Sequence, residues 1–126
     1  MMKKVETKLA PAAIGPYVQA IVAGKTCYVS GQLGIEMPGG DLAQTDTAQL
    51  RQALKNAEAI LKAAGFTKEN IVKVTLYIEN MERFPALNTV YAKFFGAHRP
   101  ARSCIAVAAL PKGASVEVDV IASQEA

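Results

Sequence analysis

The sequence predicts an α+β domain, a mixed β-sheet with two helices on one of its faces. Three observations predict it. Two segments, 46–64 and 81–95, carry apolar residues at helical spacing. Several shorter runs either alternate apolar with polar residues or are apolar throughout, as strands do. The segments follow one another as β-β-α-β-α-β-β, an order that buries one sheet face beneath the helices and gives two layers.

The stretch 7–19 contains Pro11, Gly15 and Pro16, which predict an ordered but irregular loop. Strand-like runs follow at 17–23 and 26–30, with Gly24-Lys25 as a tight hairpin turn between them. Gly31, Gly34, Pro38, Gly39 and Gly40 mark loops. A helix is predicted from Asp46, with Asp46 as its cap and Gln49 completing a capping box. Leu50, Leu54, Ala57, Leu61 and Ala64 form its apolar stripe, and Gly65 ends it. The next strand is 71–78, where Val72, Val74, Leu76 and Ile78 alternate with Lys73, Thr75 and Tyr77. A second helix is expected over about 81–95, its start limited by Pro85. Strands at about 103–109 and 115–122, joined by the turn Leu110–Gly113, complete the order. The first of these is apolar on both faces. Two layers cannot cover both, so the chain is expected to associate with other copies of itself.

Bulk properties narrow the function. A length of 126 residues suits one domain over 1–126, and apolar (51%) and charged (20%) contents suit a folded one. The net charge of +3 is spread along the chain without a basic block, which argues against nucleic acid as a partner. Met1-Met2-Lys3-Lys4 leads into no apolar signal region, and no run is long enough to span a membrane. A cytoplasmic protein with reduced thiols is expected. One histidine and two cysteines without ligand-like spacing predict no metal site.

Two ionisable residues stand in unexpected places. Glu117 lies in Ser-Val-Glu-Val-Asp-Val-Ile, opposite the face formed by Val116, Val118 and Val120. A carboxylate on a half-covered strand must be paired or hydrogen-bonded. Arg102, just before an apolar strand, could offer its planar fork to a carboxylate. The alternative is a structural Arg102–Glu117 ion pair, or two solvated residues at sheet edges. Cys104 reads as a small core residue, His98 as a solvated loop residue and Tyr17 as packing.

Longer motifs carry a resemblance. Ala10–Ala20 (APAAIGPYVQA), Val29-Ser30-Gly31-Gln32, Pro100-Ala101-Arg102-Ser103-Cys104, Leu110-Pro111-Lys112-Gly113 with Val116-Glu117-Val118, and the helix 84–95 with Asn88 inside it are similar to the reactive-intermediate deaminase family, RidA or YjgF. The likeness is colinear from about Thr7 to Ala122. It implies a chorismate-mutase-like fold, homotrimers with a ligand site in each cleft between subunits, and hydrolysis of 2-enamine and 2-imino acids, such as 2-aminoacrylate, without a cofactor. It further implies that Arg102 grips the substrate carboxylate and Glu117 handles the attacking water. Cys104, Tyr17, Ser30, Gly31 and Asn88 would bind substrate or shape the pocket. The segment Gly96-Ala97-His98-Arg99 before Pro100 departs from relatives, which often carry a longer loop or an aromatic residue there. Two other functions compete with the deaminase. One is a trimer that binds small carboxylates or acts like a chaperone without turnover. The other is an RNA-directed inhibitor of translation.

Overall fold

The computed structural model describes residues 2–125, so Met1 and Ala126 of the expected 1–126 domain lie outside it. The strands are β1 (Met2–Val5), β2 (Ala20–Ala23), β3 (Thr26–Leu33), β4 (Ile71–Ile78), β5 (Ala101–Ala106) and β6 (Val116–Ser123), and the helices are α1 (Asp46–Ala63) and α2 (Phe84–Phe95). Short 3-10 turns precede β4 and α2 and follow Leu110. The strands form one sheet in the order β1-β2-β3-β6-β4-β5. Only β4 and β5 pair in parallel; the other pairs are antiparallel. A parallel pair needs a crossover, and α2 provides it.

Alternation along the strands sorts the two sheet faces. In β6, Val116, Val118, Val120 and Ala122 are buried, while Glu117, Asp119, Ile121 and Ser123 are only partly covered. In β4, Val74, Leu76 and Ile78 are buried. These residues meet Leu50, Leu54, Ala57, Ile60 and Leu61 of α1 and Leu87, Tyr91 and Phe95 of α2, forming one core. Burying each large apolar side chain contributes roughly 1.5–3 kcal/mol. Among the described residues, no layer lies over the other face. Tyr28 (50% exposed) and Ile105 (47% exposed) lie on it, with Ile121 and Tyr77 beside them in register. The expected two-layer α+β arrangement is present, and one of its sheet faces is bare.

Several boundaries differ from expectation. The strand β1 was not expected, because Met2-Lys3-Lys4-Val5 has three exposed residues and pairs only along the edge of β2. The second strand begins at Ala20 rather than Tyr17, since 15–18 belongs to the loop. Arg102 lies inside β5, not before it, and β5 ends at Ala106. The predicted capping box at Asp46 is not formed. Thr45 caps α1, its hydroxyl accepting from the Ala48 N–H at 3.2 Å. Asp46 instead forms a two-point ion pair with Arg83, at 2.7 and 3.0 Å, which ties the start of α1 to the turn before α2. Gln49 is buried and spans a gap. Its amide donates to the Ala43 carbonyl at 2.9 Å and accepts from the Ser115 N–H at 2.8 Å. The C-terminus of α1 follows expectation. Gly65 adopts φ +86°, and the N–H groups of Gly65 and Phe66 bond Lys62 O and Leu61 O, closing the helix with a left-handed cap.

Candidate active site

The residues singled out from sequence fall into two groups on opposite faces of the sheet. The first lies on the bare face. Between Val29 and Gln32 the register of β3 against β6 shifts, so three steps on β3 match two on β6. This bulge carries Ser30 and Gly31. The Ser30 hydroxyl donates to the Val18 carbonyl at 2.6 Å, and its N–H donates to the Gln19 carbonyl at 2.9 Å. Those two bonds pin the loop that presents Tyr17, which is half exposed. Gln19, itself buried, holds the rest of the loop by donating to Thr7 O and Pro11 O and accepting from the Thr7 N–H. Gly31 leaves room for Glu117. A Cβ at position 31 would collide with Glu117 Oε2 and stand 3.0 Å from its Cδ. Burial, and then the charge of Asp119, hold the Glu117 carboxyl above the usual carboxylate range.

The second group lies on the helix side, at the β5 edge. Arg102 is in register with Val74, and Cys104 with Leu76, both core residues. The Arg102 guanidinium lies over the Tyr91 ring (4.6 Å to the centroid) and near Phe84 (5.1 Å). Its Nη1 donates to Asn88 Oδ1 at 2.7 Å. Phe84, Asn88 and Tyr91 are four and three residues apart, one stripe of α2. Two aromatic faces and one amide therefore fix the guanidinium while leaving other N–H donors of its fork for a ligand. Burial raises the Cys104 thiol and Arg102 opposes it only in part, which keeps the thiol protonated at neutral pH and unfit as a nucleophile.

Arg102 and Glu117 do not meet within one chain. Among the described residues the ion pairs are Lys62–Glu58 and Arg83–Asp46. The structural Arg102–Glu117 pair that sequence left open is therefore not formed. A cleft of about 800 Å³ lies between the 7–19 loop and β1, and it reaches the first group at Tyr17, Val18 and Gln19, with Ser30, Gly31 and Glu117 outside its lining. His98 is more than a solvated loop residue. Its Nε2 lies 2.7 Å from the Ile71 carbonyl and its ring packs edge-on to Phe95, which fixes the turn into β5. Arg99 donates to the carbonyls of Gly96 and His98 in the same turn. Phe84 and Tyr91 were not among the candidate site residues read from the sequence. The signal that could have found them was Asn88, a polar residue inside an apolar helical stripe. Among the described residues no group of three His, Cys, Asp or Glu side chains is placed to hold a metal, and no helix is long and apolar enough to cross a membrane.

The family model described as Endoribonuclease L-PSP matches residues 7–124. The chain belongs to this family. The match takes in both groups of site residues. The 2-iminobutanoate/2-iminopropanoate deaminase of Salmonella typhimurium is 42% identical over 125 residues, covering 97% of this chain and 98% of that protein. Its name agrees with the RidA/YjgF likeness of the motifs. Among solved structures, the YjgF gene product of E. coli superposes with a TM-score of 0.94 at 40% identity, covering 98% of this chain and 99% of that one. The E. coli TdcF protein, described with bound serine, gives a TM-score of 0.94 at 39% identity, with 98% and 99% covered. Relatives named as imino-acid deaminases at 42–46% identity support a deaminase function at the level of the family.

Proposed function

We propose that the protein hydrolyses 2-imino acids, and the 2-enamines in equilibrium with them, to 2-keto acids and ammonia, in clefts completed where two copies of the chain meet. The observation that carries this reading is the separation of two half-sites. Arg102 is held as an anion receptor on one face of the sheet, and Glu117 is held as a raised carboxylate on the other. Neither half alone can both bind and transform a substrate. A second copy seated on the bare sheet face brings one half to the other, and a three-fold assembly of chorismate-mutase-like subunits repeats that contact around a closed ring. The TdcF relative, with its bound serine, offers a precedent for a ligand of amino-acid size.

In this reading the Arg102 fork takes the substrate carboxylate in two parallel hydrogen bonds, which places the C=N carbon beside the carboxylate of Glu117. Glu117 accepts a proton from water as the hydroxide oxygen bonds to C2, and the π pair of the C=N bond moves to nitrogen, which takes up a proton from solvent. The resulting carbinolamine has a C–O and a C–N bond at C2. Glu117 then returns its proton to nitrogen, the C–N bond breaks with its electron pair leaving on ammonia, and the hydroxyl proton passes to solvent, which replaces the one taken up by nitrogen and gives the ketone. One water is consumed and one ammonia released. Tyr17, Ser30, Gly31 and Asn88 shape the pocket or hold its walls, and Cys104 lends volume and backbone.

The test generates 2-iminopropionate in situ with an amino-acid oxidase and traps what survives with semicarbazide. Faster loss of trapped adduct, with release of ammonia, supports the proposal. No acceleration across several imino acids, with keto acids still bound, would establish the binding-only trimer instead. Two further outcomes are expected. Glu117→Ala lowers kcat about 10²–10⁴-fold with little change in KM, because it removes proton transfer and not the carboxylate receptor. In the wild type, kcat/KM falls on the acid side at a pH above the ordinary carboxylate range. The raised Glu117 must be ionised to accept a proton, so activity is lost as pH drops through its titration. An acid limb at an ordinary carboxylate value would remove Glu117 from that role.

A further inference from the structure

Glu117 has a second carboxylate beside it. Asp119 stands two residues along β6, on the same face, and like Glu117 it is only partly covered. Tyr77 of β4 is directly opposite Glu117 in the antiparallel ladder, and its hydroxyl donates diagonally to Asp119 Oδ2 at 2.9 Å. Cross-strand diagonals of this kind are within reach of long side chains, and such pairs fix orientation. Other chargeable groups face this region from every neighbouring strand. Lys73, paired with Ile121, projects from β4 one step beyond Asp119, and Tyr28 of β3 is also opposite Ile121. Glu79 follows the end of β4, where its N–H donates to Ser115 O. From β5, Ala101, Ser103 and Ile105 face Glu117's side, in register with Lys73, Thr75 and Tyr77, and none of the three carries a charge. Asp119 is thus the nearest charge along its own strand, and Tyr77 anchors it.

We propose that Asp119, anchored by the Tyr77 hydroxyl, is a positioning residue for the known family chemistry, acting through Glu117 by holding a fixed negative charge next to it. A like charge at this separation disfavours a second ionisation nearby. It makes Glu117 a stronger base toward the attacking water than an isolated carboxylate. The hydrogen bond from Tyr77 keeps Asp119 from rotating away from Glu117. This proposal rests on the deaminase reading for what Glu117 does with its proton, but not for the coupling between the two carboxylates.

The experiment has two arms that separate those claims. The first follows the Glu117 carboxyl carbon by NMR through a pH titration in wild type, Asp119→Asn and Asp119→Glu. The titration of the wild-type pair is read as a macroscopic curve. Asp119→Asn is expected to move the Glu117 transition to lower pH, and Asp119→Glu, which keeps the charge, is expected to restore it. An unchanged transition in Asp119→Asn overturns the proposal whether or not the protein is a deaminase. The second arm measures kcat/KM for 2-iminopropionate against pH. The acid limb of Asp119→Asn should move to lower pH. At a pH about one unit below the midpoint of the wild-type limb, the variant should retain at least about threefold more of its own plateau rate than wild type does. Its plateau kcat should fall while KM stays constant, which a merely structural residue would not produce. A shifted NMR transition with an unshifted rate profile overturns the catalytic part alone. Absence of any turnover in wild type counts against the deaminase reading and leaves the first arm to decide the coupling. Should Asp119→Asn fail to fold by circular dichroism, Asp119→Ser removes the same charge and serves both arms.

Discussion

Arg102→Ala abolishes turnover, by roughly 10³-fold or more in kcat/KM, while the chain stays folded and assembled. The size follows from two losses that act together. A charge-assisted, two-point grip on a carboxylate is worth several kcal/mol when desolvated, so its removal weakens binding by orders of magnitude. In the proposed mechanism the same grip sets the distance between the imine carbon and Glu117, and poor placement costs further rate. Stability changes little because Arg102 fills no core volume. It is half-buried at an edge strand, and its stacking on Tyr91 and Phe84 contributes only about 0.5–2 kcal/mol. Arg102→Lys keeps the charge but loses the planar fork, and it recovers only part of the rate. The measurement pairs the semicarbazide assay with sedimentation and a thermal melt. A variant that dissociates or unfolds would assign Arg102 a structural role.

Gly31→Ala is the second large effect, and it separates activity from stability in a different way. A methyl group at Gly31 meets the Glu117 carboxylate, not backbone. The carboxylate is the far end of a flexible side chain, so the clash is relieved by a change of rotamer rather than by moving the sheet. The expected result is a melting temperature within a few degrees of wild type and a loss of roughly 10²-fold or more in kcat. Gly31→Ala combined with Glu117→Ala should be no slower than Glu117→Ala alone, because both changes remove the same group. Additive losses would show that Gly31 serves a contact other than Glu117.

Much of the fold was legible because the period of the pattern changed where the structure changed. The α1 stripe, the alternation in β4 and β6 and the stop at Gly65 each rest on local chemistry. The strand β1 was missed because three of its four residues are exposed, and an edge strand of that kind has no apolar period to find. The Asp46 box was misplaced by one residue because Asp46 is taken by Arg83, 37 residues away, a tertiary bond that no local rule contains. The candidate site was legible in its parts, since a glutamate amid valines and an arginine at the head of an apolar strand are unusual. Their separation across the sheet was not. It depends on the parallel pairing of β5 with β4, which puts Arg102 in step with Val74 and on the side of α2. Asp119 and Tyr77 were passed over as the polar side of an alternating strand. The shift of register in β3 that makes room at Gly31 depends on contacts with β6 that the sequence of β3 does not encode.

The placement of Arg102 and Glu117 on opposite faces of one sheet has a genetic consequence. If each site draws its arginine from one copy and its glutamate from the next, the two defects are separable by chain. Arg102→Ala and Glu117→Ala would each be inactive when pure, yet co-refolding them in equal amounts should restore about a quarter of the wild-type rate. That is the fraction of junctions in a randomly mixed ring where an intact arginine faces an intact glutamate. Two dead parents would yield a live hybrid, and a single chain carrying both substitutions could never be rescued by itself.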